Sequence, residues 1–138
     1  MPNFWIVKTE PSSYSYEQLE RDGKAVWDGV SNAQALIHLR AMRKGDRVLV
    51  YHSGADKSVI GTARVTRGAY PDTNGSDPKL VVVDLAPDTR LAHPVTLAAI
   101  KASGEFADLG LVRQGRLSVM PVGAAHWKRL MTLGKGED

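Results

Sequence analysis

The chain contains no cysteine. That excludes a disulfide framework, a zinc–thiolate centre and a cysteine nucleophile, and is compatible with a reducing compartment. Long apolar runs are also missing: none approaches the ~20 residues of a membrane span. The start, Met1-Pro2-Asn3-Phe4-Trp5, has neither the cationic opening nor the apolar stretch of a secretion signal, so a cytoplasmic protein is expected. No Walker-type phosphate loop and no dinucleotide fingerprint occurs. The four histidines, His38, His52, His93 and His126, lack metal-ligand spacing. No catalytic triad and no pair of carboxylates at a familiar spacing can be picked out. The expectation is therefore no metal, no cofactor and no catalysis.

What is present suits one globular domain spanning residues 1–138, long enough to bury a core of its own. Hydrophobic residues make up 43 % and charged residues 24 %, so disorder is not expected. The formal net charge of +3 leans mildly toward polyanionic partners. Basic residues cluster at Arg40, Arg43, Lys44 and Arg47, at Arg64 and Arg67, at Arg113 and Arg116, and at Lys128 and Arg129. Such clusters are either a nucleic-acid footprint or solvated edges.

Phe4 to Thr9 reads as a strand ended by Glu10-Pro11. Ser15 and Gln18 have capping-box spacing for a helix that Gly23 stops. Ser31 to Met42 reads as a second helix, capped by Asp28 or Ser31 and stopped at Lys44-Gly45-Asp46. Arg47 to Ser53 is an almost continuous apolar strand, as expected where both faces are covered. Further strands are expected at Val59–Ala69, Leu80–Leu85, Pro94–Leu97 and Leu117–Val122, with an Asn74-Gly75 turn in the loop before Leu80. Ala98–Ser103 and Ala124–Leu133 read as helices, the last placing Trp127, Leu130 and Met131 toward the core. Five or six short strands without regular helix alternation predict an α+β fold: a curved mixed β-barrel flanked by helices.

Three segments could carry function. Lys8-Thr9-Glu10 puts a cation, a hydroxyl and a carboxylate at one strand end, a pocket rim or simply a solvated terminus. Trp27-Asp28-Gly29-Val30-Ser31-Asn32 puts a large ring before a helix start, whose free N–H groups suit a carbonyl or phosphate oxygen. Asn32 can donate and accept, as a nucleobase edge requires; a core tryptophan with an ordinary cap is the plainer reading. Tyr51-His52-Ser53 hints at acid–base chemistry, but neighbouring strand residues face opposite ways and cannot share one site.

Taken together, Trp5 to Pro11, Trp27-Asp28-Gly29-Val30-x-Asn32, Gly45-Asp46 leading to Tyr51-His52-Ser53, Ala69-Tyr70-Pro71-Asp72 and Arg116 to Val122 resemble the EVE domain family, in its stand-alone bacterial form. The resemblance runs from about Phe4 to Leu133. It implies a PUA-like fold, kinship with YTH domains that hold methylated adenine in an aromatic cage, and recognition of modified bases such as methylated cytosine. Lys8-Thr9 resembles the Lys-Ser ending the first YTH strand, Trp27 the first cage wall, Asn32 an Asn addressing the base, and Gly61-Thr62-Ala63 a nearby Gly-Val-Ala strand. Ser31 stands where the family usually has Arg, and no second Trp matches the other wall; Tyr70 is the nearest aromatic.

The expected ligand-binding set is thus Lys8, Thr9, Glu10, Trp27, Asp28, Gly29, Val30, Asn32, Tyr51, His52, Ser53, Tyr70, Ser118 and Met120. Arg40, Arg43, Lys44, Arg64, Arg67 and Arg116 are the candidates for the nucleic-acid backbone. The leading expectation is a non-catalytic, monomeric reader of a modified base in DNA or RNA. The alternatives are an enzyme acting on a nucleotide or small polar ligand through Lys8, Glu10 and His52, and an interaction protein with a vestigial pocket.

Overall fold

A computed structural model describes residues 2–73 and 77–136. The chain runs β1 (Phe4–Thr9), α1 (Tyr16–Asp22), β2 (Ala25–Trp27), α2 (Ala33–Ala41), β3 (Arg47–His52), β4 (Ser58–Pro71), β5 (Val81–Thr96), α3 (Leu97–Ser103), α4 (Gly110–Arg113), β6 (Val119–Val122) and α5 (Ala124–Gly134). The strands form one sheet in the order β2-β5-β4-β3-β1-β6. Among the described residues only β1 and β3 run parallel, and every other pair is antiparallel. The fold is mixed α+β, as expected.

The sheet curls but does not close, so the expected barrel is corrected to an open sheet with two free edges, β2 and β6. Curvature comes from β4 and β5, whose register slips at several points between Val59 and Tyr70. Each bulge bends the strand and adds twist. The segments expected as separate strands at Leu80–Leu85 and Pro94–Leu97 are the two ends of β5. Proline cannot donate to a ladder; Pro87 and Pro94 are both accommodated in the irregular stretch. The short β2 and α4 were not expected, and Asn74-Gly75 lies outside the described residues.

Local chemistry explains most boundaries. Ser15 and Gln18 form a reciprocal capping box on α1, and Gly23 ends that helix in the left-handed region. The start of α2 is corrected: Asn32, and neither Asp28 nor Ser31, is its cap, with Oδ1 accepting from the Ala35 N–H at 3.0 Å. Val48 to Tyr51 are all buried, as a strand covered on both faces should be. Trp127 and Leu130 are buried under α5, while Met131 is only half-buried.

Two side chains tie this frame together. Asp46, buried before β3, accepts from the Asn3 N–H at 3.0 Å, the Trp5 indole N–H at 2.9 Å and the Arg43 N–H at 3.0 Å. Tyr16, at the first turn of α1, lays its ring on Gly61 of β4, where an added Cβ would come within 2.4 Å of Cζ. Its hydroxyl donates to the Thr62 carbonyl at 2.7 Å.

Candidate functional site

β2 and β1 are separated in sheet order by β5, β4 and β3, yet both line one cleft. The curl has brought the β2 edge round to the end of β1 and the residue before β6. The seam left between them is a cleft of about 390 Å³, within the usual range for ligand sites. Ala25, Val26 and Trp27 form one side, and Lys8, Thr9 and Ser118 the other. Asp28, Gly29 and Val30 close one end, and Ser13 and Tyr14 roof it.

Each wall has a local cause. β2 is paired with β5 alone, so its other edge faces the seam with unladdered backbone groups. Trp27 is 7 % exposed: it packs in the core and shows what remains to the cleft. Gly29 turns the chain at φ +77°, a conformation that favours glycine, and so carries it from β2 toward α2. The Thr9 hydroxyl donates to the Tyr14 carbonyl at 2.7 Å, and the Glu10 carbonyl accepts from the Ser13 and Tyr14 N–H groups at 2.9 Å. These bonds hold the loop so that Tyr14 meets Trp27 edge to face, with ring centroids 6.1 Å apart.

Electrostatically the site sets one cation, Lys8, and one carboxylate, Asp28, between neutral aromatic walls. Lys8 Nζ donates to the Gly115 carbonyl at 2.7 Å, and burial pulls its ammonium below the usual lysine value. Burial, assisted by the hydrogen bond from its hydroxyl to Asp22, pushes the Tyr14 phenol up to about 12. Tyr14 is therefore uncharged at any physiological pH.

Of the expected ligand set, Lys8, Thr9, Trp27, Asp28, Gly29, Val30 and Ser118 are brought together. The others lie elsewhere. Asn32 lines a neighbouring cleft with Gln34, Gln114 and Arg116, its carbonyl oxygen committed to the helix cap. Tyr51 and Met120 are core residues. His52 Nε2 accepts from the Tyr16 N–H at 2.9 Å, which leaves Nδ1–H to donate to Asp56 at 3.1 Å. Ser53 donates its N–H to the Thr9 carbonyl at 2.9 Å, and Glu10 turns toward Gly54. Tyr70 sits on the outer sheet face, its hydroxyl on Asp84, so the second aromatic at the seam is Tyr14. Tyr14, Ser13, Ala25 and Val26 were missed. Their only signal is that they flank the two recognised motifs.

Among the described residues no group of three or more His, Asp or Glu is placed to hold a metal, and no helix is long and apolar enough to cross a membrane.

All four tyrosines resist ionisation. Tyr16 is pushed up to about 12, by burial first and by Glu20 second, while burial raises Tyr51 and the hydrogen bond to Asp84 raises Tyr70. The unfolded chain ionises its phenols near 10.0. The contribution of the protonated phenols to stability is therefore complete below pH 10 and disappears as pH rises through about 12. In an alkaline titration, tyrosinate absorbance should lag a free-tyrosine curve and rise together with loss of circular dichroism. A phenol titrating near 10 with the fold intact would contradict this.

Comparisons with known proteins bear on family and fold. A family model described as EVE domain matches residues 3–133. Thymocyte nuclear protein 1 of Mus musculus is 28 % identical over 171 residues, spanning 99 % of this chain and 76 % of that protein. A protein from Rhodopseudomonas palustris solved by NMR is 43 % identical, with a TM-score of 0.92 over 99 % of this chain and 95 % of that one. The human THYN1 protein, solved in complex with DNA containing 5-methylcytosine, is 25 % identical, with a TM-score of 0.89 over 99 % of each chain. Both the family match and the similarity in fold extend over nearly the whole chain, and the chain belongs to the EVE domain family.

Proposed function

We propose that the chain is a non-catalytic binding module that holds a modified nucleobase, carried in a nucleic acid, in the seam between β2 and β1. The observation that carries this is the pairing of Trp27 and Tyr14 at a cleft otherwise lined by an ammonium, three hydroxyls, a carboxylate and an unpaired strand edge. A planar heteroaromatic ring needs both an apolar face to stack on and polar groups at its rim. Asn32 is engaged in capping α2, so reading of the base edge falls to Lys8, Ser118 and the backbone from Trp27 to Val30. The human relative solved with 5-methylcytosine DNA makes that base the first to test.

The energetics suit a reader. Taking a base from its stack costs a few kcal/mol, and stacking on one aromatic returns about 1–3 kcal/mol. Burying one methyl adds only about 0.8 kcal/mol, roughly fourfold in affinity. Stronger selectivity requires that the unmodified base leave a polar group or water badly placed. A binder is favoured over an enzyme because Lys8, Glu10 and His52 do not line one cleft, and both His52 nitrogens are engaged within the fold.

Titration with cytosine, 5-methylcytosine, adenine and N6-methyladenine, as nucleosides and within short oligonucleotides, tests this. One modified base should bind about fourfold or more tighter than its parent, quench tryptophan fluorescence and be recovered unchanged. Equal binding of modified and unmodified oligonucleotides without quenching, or steady turnover, refutes it.

A further inference from the structure

A second cleft, of about 440 Å³, lies between the C-terminal end of α2 and the far part of β4. Arg40, Arg43 and Lys44 line it above a floor of Gly68 and Ala69. Among the described residues, none of these three cations is in an ion pair. The Arg40 guanidinium is oriented by the Lys79 carbonyl, at 2.7 Å. The floor is small for a reason: a Cβ on Gly68 would lie 3.1 Å from the Met42 carbonyl oxygen. The nearest buried carboxylate, Asp46, is already taken up by three N–H donors.

The sheet connects this cleft to the seam. Arg67 stands opposite Asp84, and Asp84 opposite Val26, so the three form one row across β4, β5 and β2. Val26 is 51 % exposed at the rim of the seam. Arg67 is exposed beside Gly68, its guanidinium stacked 3.7 Å from the Tyr70 ring centroid. Two strand spacings put Arg67 about 10 Å from Val26, within reach of the backbone beside a base held in the seam. Asp84, between them, is buried and hydrogen-bonded by Tyr70.

We infer that this cleft seats the phosphate backbone of the strand whose modified base occupies the seam, with Arg67 bridging the two sites. The inference rests on the base-binding reading above. It divides the basic residues expected to contact the backbone: Arg40, Arg43, Lys44 and Arg67 lie on the track, while Arg64 lies off it, reaching toward the Pro87 carbonyl, and Arg116 lines a separate cleft. Cations at the end of α2 also favour its carbonyl dipole, a role that would appear in thermal stability and not in the salt dependence of binding.

The test compares the full chain with Arg43→Gln/Lys44→Gln and with the control pair Arg113→Gln/Lys128→Gln. The probes are an oligodeoxynucleotide duplex carrying one 5-methylcytosine, and free 5-methyldeoxycytidine. Arg43→Gln/Lys44→Gln should weaken the oligonucleotide on the order of tenfold at low salt and flatten log K against log salt by about two, while nucleoside affinity stays unchanged. The control pair should leave the slope alone. Oligonucleotide binding that Trp27→Phe weakens, but whose slope is the same in both double variants, overturns the phosphate cleft. An equal slope loss in both pairs overturns it too, by reducing the effect to net charge. A slope change confined to Arg43→Gln/Lys44→Gln, with binding indifferent to Trp27→Phe, supports the cleft and refutes the seam as the base site.

Discussion

Trp27→Ala should lose about 1–3 kcal/mol of ligand binding through lost stacking, a fall of roughly 5- to 150-fold. It should also lose about 3–5 kcal/mol of stability, because the side chain that borders the seam is otherwise packed in the core. The two losses separate in Trp27→Phe. That variant keeps a ring against Tyr14 and fills much of the space, so most of the stability returns while the smaller ring face still binds less well. Urea unfolding monitors the first quantity, and titration of folded protein with 5-methyldeoxycytidine the second. If both variants, shown to be folded, bind as tightly as the parent, Trp27 is a core residue and nothing more.

Asp46→Ala should be as damaging to stability while touching no ligand. Three N–H donors from three separate places, Asn3, the Trp5 indole and Arg43, converge on one buried carboxylate. Removing it leaves all three without an acceptor, the Trp5 indole in a buried position and the two backbone N–H groups in part-buried ones. Each donor left buried without an acceptor costs about 1–3 kcal/mol, so the total is several kcal/mol. Asp46→Asn should fall between alanine and the parent, since its amide retains one oxygen and turns an NH₂ toward the remaining donors. Chemical denaturation with tryptophan fluorescence measures both, and a loss below about 1 kcal/mol for Asp46→Ala would show that water replaces the carboxylate. The Gly45-Asp46 motif is thereby accounted for by folding.

How much could be read from the chain depended on how local the cause was. Ser15, Gln18 and Gly23 delimit α1 by contacts within a few residues, and Trp127 and Leu130 follow helical spacing into the core. Leu80–Leu85 and Pro94–Leu97 read as two strands, and only pairing with a bulged β4 makes β5 continuous. The motif residues that reached the seam, Lys8, Thr9 and Trp27 to Val30, stand at strand ends where the curl brings β1 and β2 together. Tyr51 and His52 belong to an equally recognisable motif but are buried beside β1 and α1, a matter of sheet register. Tyr14 was invisible because its position depends on a hydroxyl five residues earlier in the chain.

The incomplete closure of the sheet has a consequence for finding the ligand. On the proposed reading, a molecule lodged between β2 and β1 would act as the missing rung, joining a three-residue edge strand that otherwise hangs from β5 alone to the opposite side of the sheet. Occupancy then becomes part of the folding equilibrium. Ligand at a hundred times its dissociation constant adds about 2.7 kcal/mol of resistance to unfolding, and the amides of Ala25 to Trp27 would exchange more slowly than in the empty protein. A base bound there would be mechanically a strand-to-strand strut, and a thermal screen of unlabelled nucleosides would register it without any prior guess at its chemistry.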